Sequence, residues 1–142
     1  MAERYVRRRR RLTMWLVAAL LGAFTVVTPA DAAATTCTLT FQANYRGTVG
    51  GQYRWQIDAR LTNTGTTSST TWGAVIDFPL SAGAAVHLFW NAKRLSTNVW
   101  GPASWNGPIL PNQYAYFGFE VGMPMTTTAP PLPTSSQCTI TY

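Results

Sequence analysis

Few side chains in this sequence could support catalysis. Beyond residue 32 the chain has three carboxylates, Asp58, Asp77 and Glu120, and a single histidine, His87. Glycoside hydrolysis needs two carboxyl groups that face each other across a cleft, whereas each of these three falls on the outward phase of a predicted strand. His87 has no serine in a Gly-x-Ser-x-Gly turn to activate, and one histidine with two distant cysteines lacks the ligand spacing of a zinc site. The sequence therefore predicts no enzyme, no metal and no cofactor, and a small glycoside hydrolase is the less favoured alternative.

Aromatic residues are unusually frequent in the same part of the chain. Residues 33–142 contain five tryptophans, five tyrosines and five phenylalanines. Trp55 and Trp72 each begin an alternating apolar run, so we expect both in the core. Phe117 and Phe119 share the buried phase of their strand.

Two other tryptophans stand in a different setting. Trp90 and Trp105 are each followed by an asparagine, Asn91 or Asn106, at a strand end or in a loop rich in Gly, Pro and Asn. We expect these indoles to be exposed, with Trp100 as a further candidate, and exposed tryptophans mark contact surfaces. Indole faces match the apolar C–H faces of pyranose rings, and amides hydrogen-bond sugar hydroxyls, so the pattern predicts binding of a neutral polysaccharide. The alternative is a structural or protein-interaction domain whose interface buries these rings.

The elements that would position these residues are strands. From Trp55 to Leu61 apolar and polar residues alternate, as in a strand with one buried face, and no segment has a sustained helical periodicity. Arg46 to Gly51 is one of several predicted turns. The other predicted strands are Cys37 to Phe41, Trp72 to Phe78, Val86 to Trp90, Asn98 to Trp100, Tyr114 to Val121 and Cys138 to Tyr142. This spacing predicts an all-β fold, an antiparallel β-sandwich of about seven to nine short strands, with a closed barrel as the alternative.

The N-terminus has the organisation of a secretory signal peptide. An arginine run at 7–11 precedes an uncharged apolar segment, and Ala30-Asp31-Ala32 offers small residues for cleavage. We therefore predict a signal peptide at 1–32, a single domain at 33–142 and an extracellular location. A membrane anchor is the alternative, although the apolar segment falls short of the ~20 residues that span a bilayer.

Removing the leader changes the charge of the chain. Six of the eleven basic and two of the five acidic residues lie within 1–32, which leaves five basic and three acidic residues, a net charge of +2. The remaining basic residues are scattered, so we expect no nucleic-acid partner. Cys37 and Cys138 lie near the two ends of an exported chain, and a disulfide joining the termini is the simplest pairing, with free thiols or an intermolecular bond as alternatives. The oligomeric state is left open.

Several elements occur in an order that resembles carbohydrate-binding module family 2, the bacterial cellulose-binding modules. No element is specific alone, but together they cover nearly all of residues 33–142. They are Cys37-Thr38-Leu39-Thr40-Phe41, Thr62-Asn63-Thr64-Gly65, Trp72 six residues before Phe78-Pro79, Trp90-Asn91-Ala92, Trp105-Asn106-Gly107, Leu110-Pro111 before Phe117-Gly118-Phe119, and the late Cys138.

The resemblance implies an antiparallel β-sandwich with a terminal disulfide that binds insoluble polysaccharide through exposed aromatics. The expected ligand is cellulose, with xylan or chitin as alternatives, and Trp90 and Trp105 fall on two of the family's binding tryptophans. The third binding tryptophan is absent: either Tyr53 or Tyr45 replaces it, or the row of binding aromatics is shorter and binds more weakly. A proline-rich segment, residues 123–136, is expected to be irregular.

Overall fold

The computed structural model describes residues 36–142, and every regular element in this range is a β-strand. The predicted signal peptide lies outside the described residues. Within them, no helix is long and apolar enough to cross a lipid bilayer. The strands are β1 (Cys37–Val49), β2 (Gln52–Asn63), β3 (Thr71–Asp77), β4 (Ala85–Trp90), β5 (Ala92–Arg94), β6 (Val99–Pro102), β7 (Tyr114–Pro124) and β8 (Ser135–Thr141).

The strands form two four-stranded sheets. The first sheet has the order β1-β2-β7-β4 and the second β5-β6-β3-β8, and all neighbours are antiparallel. Side chains from the two sheets meet between them: Trp72 of β3 stacks on Phe117 of β7 with ring centroids 4.9 Å apart. The predicted antiparallel sandwich is confirmed.

Alternation along β2 and β7 gives the first sheet two different sides. Ile57, Ala59 and Leu61 of β2 are fully buried, as are Phe117 and Phe119 of β7. Side chains between these positions point to the opposite side, away from the second sheet, which we call the outer face. Burial of such apolar side chains supplies the main folding free energy, about 1.5–3 kcal/mol for each large one.

The first hairpin is longer than the sequence predicted. The turn expected from Arg46 to Gly51 is mostly strand, because β1 continues to Val49. The register shifts between Tyr45 and Gly47, so Arg46 has no partner in the ladder. The positive φ of Gly47, 106°, accommodates this bulge, and only Gly50 and Gly51 form the turn. The short strand β5 was also missed, because three residues are too few for a periodic signal.

The chain end is fixed by a proline-rich loop and a disulfide. Residues 125–134 contain no strand, as predicted, although the flanking residues belong to β7 and β8. Cys37 of β1 and Cys138 of β8 form the predicted disulfide, with Cα atoms 6.2 Å apart. It joins an edge strand of one sheet to an edge strand of the other. Closing a loop of 101 residues stabilises the fold by up to about 4–5 kcal/mol in the chain-entropy view.

Candidate functional site

Exposed aromatic side chains lie on the outer face of the first sheet. Tyr114 and Tyr116 of β7 alternate with the buried Ala115 and Phe117, so both rings point outward. Tyr114 exposes 49% of its surface and Tyr116 37%. The outer face of β7 therefore carries a pair of tyrosines two residues apart.

Trp90 lies on the same face, one step further along β7. Trp90 is the last residue of β4 and pairs with Gly118 of β7. Gly118 is the next outward-facing position of β7 after Tyr116. A Cβ atom at residue 118 would overlap the six-membered ring of the Trp90 indole. The half-buried indole thus lies against the sheet over Gly118, in space that only a glycine leaves free.

Trp105 completes the row from the loop between β6 and β7. It exposes 67% of its surface, more than any other large apolar or aromatic side chain of the described residues. Together with Asn91, Tyr114 and Tyr116 it lines a shallow depression of about 380 Å³. We call Trp90, Trp105, Tyr114 and Tyr116 the aromatic strip.

The two asparagines after the tryptophans hold the loops of the strip together. Asn91 adopts a left-handed backbone conformation, with φ of 54°, and its carbonyl accepts a hydrogen bond of 2.7 Å from the Asn106 amide. Asn106 is 8% exposed, and its carbonyl accepts a 2.8 Å hydrogen bond from the Trp72 indole. The Asn106 side-chain amide thus connects the Trp90 and Trp105 loops, and Asn106 also lines the depression beside Trp105.

A polar groove borders the strip. The Asp58 carboxylate accepts hydrogen bonds from the Tyr116 hydroxyl at 2.6 Å, the Gln56 amide at 2.8 Å and the Asn44 amide at 3.0 Å. The bond to Asp58, together with partial burial, raises the pKa of Tyr116. The Arg60 guanidinium lies 5.0 Å from the centroid of the Tyr114 ring. These contacts fix the orientation of both tyrosines.

The groove also has room for a ligand. It has a volume of about 280 Å³ and is lined by Thr40, Phe41, Gln42, Asp58, Arg60 and Tyr116. Further along the outer face Glu120 is paired with Arg54 at 3.1 Å. The described residues contain no cluster of three or more histidine, cysteine or acidic side chains that could hold a metal ion.

The prediction that Trp100 stacks on a ligand is wrong. It is 1% exposed and packs in the core against Phe89 and Phe119, with centroid distances of 5.1 and 4.7 Å. Its partner in the ladder is Ala74, which is also buried. The ring therefore points between the sheets and cannot reach a surface.

Tyr45 and Tyr53 are exposed and half-buried respectively, but they do not join the strip. Tyr45 pairs with Trp55, and Trp55 pairs with the fully buried Val121. These side chains therefore lie on the core side of the sheet, opposite to Trp90. Sequence reasoning also missed Tyr114 and Tyr116, although their alternation with Ala115 and Phe117 was a usable signal.

A β-sandwich that presents a row of aromatic side chains beside amides and hydroxyls has the architecture of a carbohydrate-binding module. Residues 37–139 match the cellulose-binding domain family, carbohydrate-binding module family 2. The chain belongs to this family, which confirms the resemblance seen in the sequence.

Similar proteins include a chitinase and chitin-binding domains of chitinases. Chitinase 63 of Streptomyces plicatus is 34% identical over 112 residues, which cover 77% of this chain and 17% of that enzyme. The crystal structure of the chitin-binding domain of a Pyrococcus furiosus chitinase is 23% identical, with a TM-score of 0.51 over 73% of this chain and 92% of that domain. A solution structure from the same organism's chitinase is 22% identical, with a TM-score of 0.50 and coverage of 81% and 94%. At these identities the two structures support the fold alone.

Proposed function

We propose that this protein is a non-catalytic module that binds an insoluble, neutral β-linked polysaccharide through the aromatic strip. The observation that carries the proposal is the 67% exposure of Trp105 beside the outward rings of Tyr114 and Tyr116. Three partly exposed aromatic side chains gathered at one open surface form an apolar patch, and such patches mark binding sites. Trp90 extends the row along the sheet.

The geometry suits an extended ligand. The strip lies on the side of the first sheet that faces away from the second sheet, so the second sheet does not block the approach of an extended glycan chain. Trp105 exposes on the order of 150 Å², and covering about half of it at about 25 cal/mol per Å² gives about 2 kcal/mol. This corresponds to about a thirtyfold gain in affinity.

Chitin is the first candidate among the glycans, and cellulose the second. Chitin is favoured by the 34% identical relative, a chitinase, and cellulose by the description of the family. The polar groove fits either one, because the Asp58 carboxylate has about four acceptor positions and uses three of them internally. The remaining position can accept a hydrogen bond from a sugar hydroxyl or from an acetamido N–H.

The partners of the carboxylates favour binding over hydrolysis. A glycosidase needs two carboxyl groups that face each other across the scissile bond. Asp58 accepts three internal hydrogen bonds, and Glu120 is paired with Arg54 at 3.1 Å. Asp77 lies in β3 of the other sheet and accepts hydrogen bonds from Asn98 and Ser135. These contacts favour a binding role. Because residues 1–32 have the organisation of a signal peptide, we also propose that the module is exported.

The test is retention on insoluble glycans. Residues 33–142 are incubated with chitin, microcrystalline cellulose and insoluble xylan, and the protein left in solution is measured. We expect retention on chitin or cellulose and a loss of affinity of about thirtyfold in Trp105→Ala. Leu95→Ala is the matched control, because Leu95 is 57% exposed but lies at the turn after β5 in the second sheet.

Three results would contradict the proposal. The first is wild-type protein that stays in solution with all three glycans, which would favour the protein-interaction alternative. The second is release of reducing sugar by the purified protein, which would make it an enzyme. The third is equal retention of Trp105→Ala and wild type, which would remove the strip as the binding surface.

A further inference from the structure

A second group of aromatic side chains lies at the hairpin end of the first sheet. Tyr45 of β1 contacts both Trp55 and Tyr53 of β2, with ring centroids 5.3 and 5.9 Å apart. With Thr128 of the proline-rich loop, these residues line a pocket of about 390 Å³. We call it the tyrosine pocket.

The tyrosine pocket and the aromatic strip lie on opposite sides of one sheet. Trp55 and Tyr53 pair with Val121 and Met123 of β7, which are 0% and 2% exposed and belong to the core. The strip uses the alternate positions of β7. The pocket is therefore the outermost part of the core side, at a place where Tyr45 still exposes 52% of its surface.

The rings of the pocket are tilted against one another. The Tyr45 ring stands at 77° to the Tyr53 ring and at 59° to the Trp55 ring. A flat crystalline surface cannot lie against rings in different planes at once, whereas a single sugar ring can contact two of them. The volume of this open pocket falls within the range of about 300–1,000 Å³ typical of small-molecule sites, which are also lined mainly by aromatic and apolar groups.

The lining of the pocket is mainly aromatic and carries no charged side chain. Tyr45, Tyr53 and Thr128 each have a hydroxyl group that can bond a sugar hydroxyl. The Tyr45 hydroxyl is also within 3.1 Å of the Thr48 hydroxyl, which holds the ring in place before any ligand binds. A fixed wall lowers the entropy cost of binding.

We propose that the tyrosine pocket is a second carbohydrate site, which takes a single sugar ring at the free end of a glycan chain. The identity of the glycan rests on the proposed function, so the first candidate is a terminal N-acetylglucosamine. With one site on each side of the sheet, the module engages a surface through the strip and a loose chain through the pocket. Two linked sites raise the overall affinity for a substrate that offers both.

The test is a titration of the ¹⁵N-labelled domain with the soluble trimer of β-1,4-linked N-acetylglucosamine. The proposal predicts saturable chemical-shift changes at Tyr45, Tyr53 and Trp55 in the wild type and in Trp105→Ala. In Tyr45→Ala the dissociation constant reported by Tyr53 and Trp55 rises at least tenfold, which corresponds to 1.4 kcal/mol. Retention of the same variant on insoluble chitin falls by less than the about thirtyfold expected for Trp105→Ala, because the aromatic strip stays intact.

Controls separate the loss of a site from the loss of the fold. Tyr45→Phe keeps the ring and is expected to retain the shift changes, and thermal unfolding shows whether Tyr45→Ala still folds. If that variant is unfolded, Tyr53→Ala is measured in its place. Shift changes confined to the aromatic strip, with none at the pocket, would overturn the second site while leaving the proposed function intact.

A failure of the wild-type protein to bind insoluble glycan would concern only the proposed function. Wild-type protein that fails to bind any insoluble glycan would refute the strip as a surface-binding site. The pocket is still judged by its own signals in the titration, which support it if they saturate and refute it if they do not move.

Discussion

The placement of Trp90 on Gly118 gives a prediction that tests the geometry of the outer face. Replacing Gly118 by alanine puts a methyl group where the indole lies, and the same Cβ comes within 2.8 Å of the Ile57 carbonyl oxygen. The indole can rotate away from the sheet, but the carbonyl belongs to the backbone of β2 and moves less easily. Gly118→Ala is therefore expected to disturb both the fold and the strip.

The magnitude follows from two opposing effects. Overpacking costs about 1–3 kcal/mol, while the loss of glycine's freedom in the unfolded chain returns about 0.4–1 kcal/mol. The net destabilisation is about 1–2 kcal/mol, and each kcal/mol lowers the melting temperature of a domain of this size by about 4–8 °C. Displacement of Trp90 from the sheet also weakens retention on insoluble glycan.

Thermal unfolding and glycan depletion measure the two effects. Gly101→Ala is the matched control: its Cβ would meet only the side chain of Leu95, at 3.1 Å, which is flexible and largely exposed. We expect the control to remain within about 0.5 kcal/mol of the wild type. A Gly118→Ala variant with unchanged melting temperature and unchanged retention would refute the placement of the indole.

Three further predictions concern the stability of the domain. Hydrogen bonds donated by Ser135 and Asn98 hold the pKa of Asp77 below its ordinary value of 3.8. The ionised carboxylate therefore stabilises the fold above that value, and this contribution is lost as the pH falls through the lowered pKa. Ser135→Ala should make the free energy of unfolding, measured by urea titration, depend less on pH in the acid range. The hydrogen bond to Asp58 raises the pKa of Tyr116 above 10.0. The bond therefore stabilises the fold fully below that value, and the stabilisation is lost as the pH rises through the raised pKa. In Asp58→Asn the absorbance of the Tyr116 tyrosinate should appear at lower pH. Removing the disulfide by a double Cys→Ser change should cost up to about 4–5 kcal/mol in chemical unfolding, and a loss below about 1 kcal/mol would contradict its role as the link between the two sheets.

The two sides of the first sheet serve different purposes along its length. Over most of β2 and β7 the core side is covered by the second sheet, and only the outer face is open. Near the β1–β2 turn the second sheet no longer covers the core side of the first sheet. Aromatic side chains of the core side are exposed to solvent there and form the tyrosine pocket. The same alternation thus produces the aromatic strip on one side and the tyrosine pocket on the other.

Local pattern alone determined several properties of this protein. Alternating apolar residues predicted the strands, since a half-buried strand needs a period of two, and the positions of Cys37 and Cys138 predicted the bond between the termini. The turn residues around Trp105 predicted its exposure. Each of these is a property of a short segment or of the two chain ends.

Tertiary structure decided which side of which sheet each residue occupies. Alternation indicates that neighbouring side chains point to opposite sides of a sheet. It does not indicate which side the other sheet covers, because the paired strands lie far apart in sequence. Trp100 is buried because β6 pairs with β3, and Tyr45 is separated from Trp90 because Trp55 pairs with Val121. The strip and the pocket therefore became distinguishable only when the register of the two sheets was known.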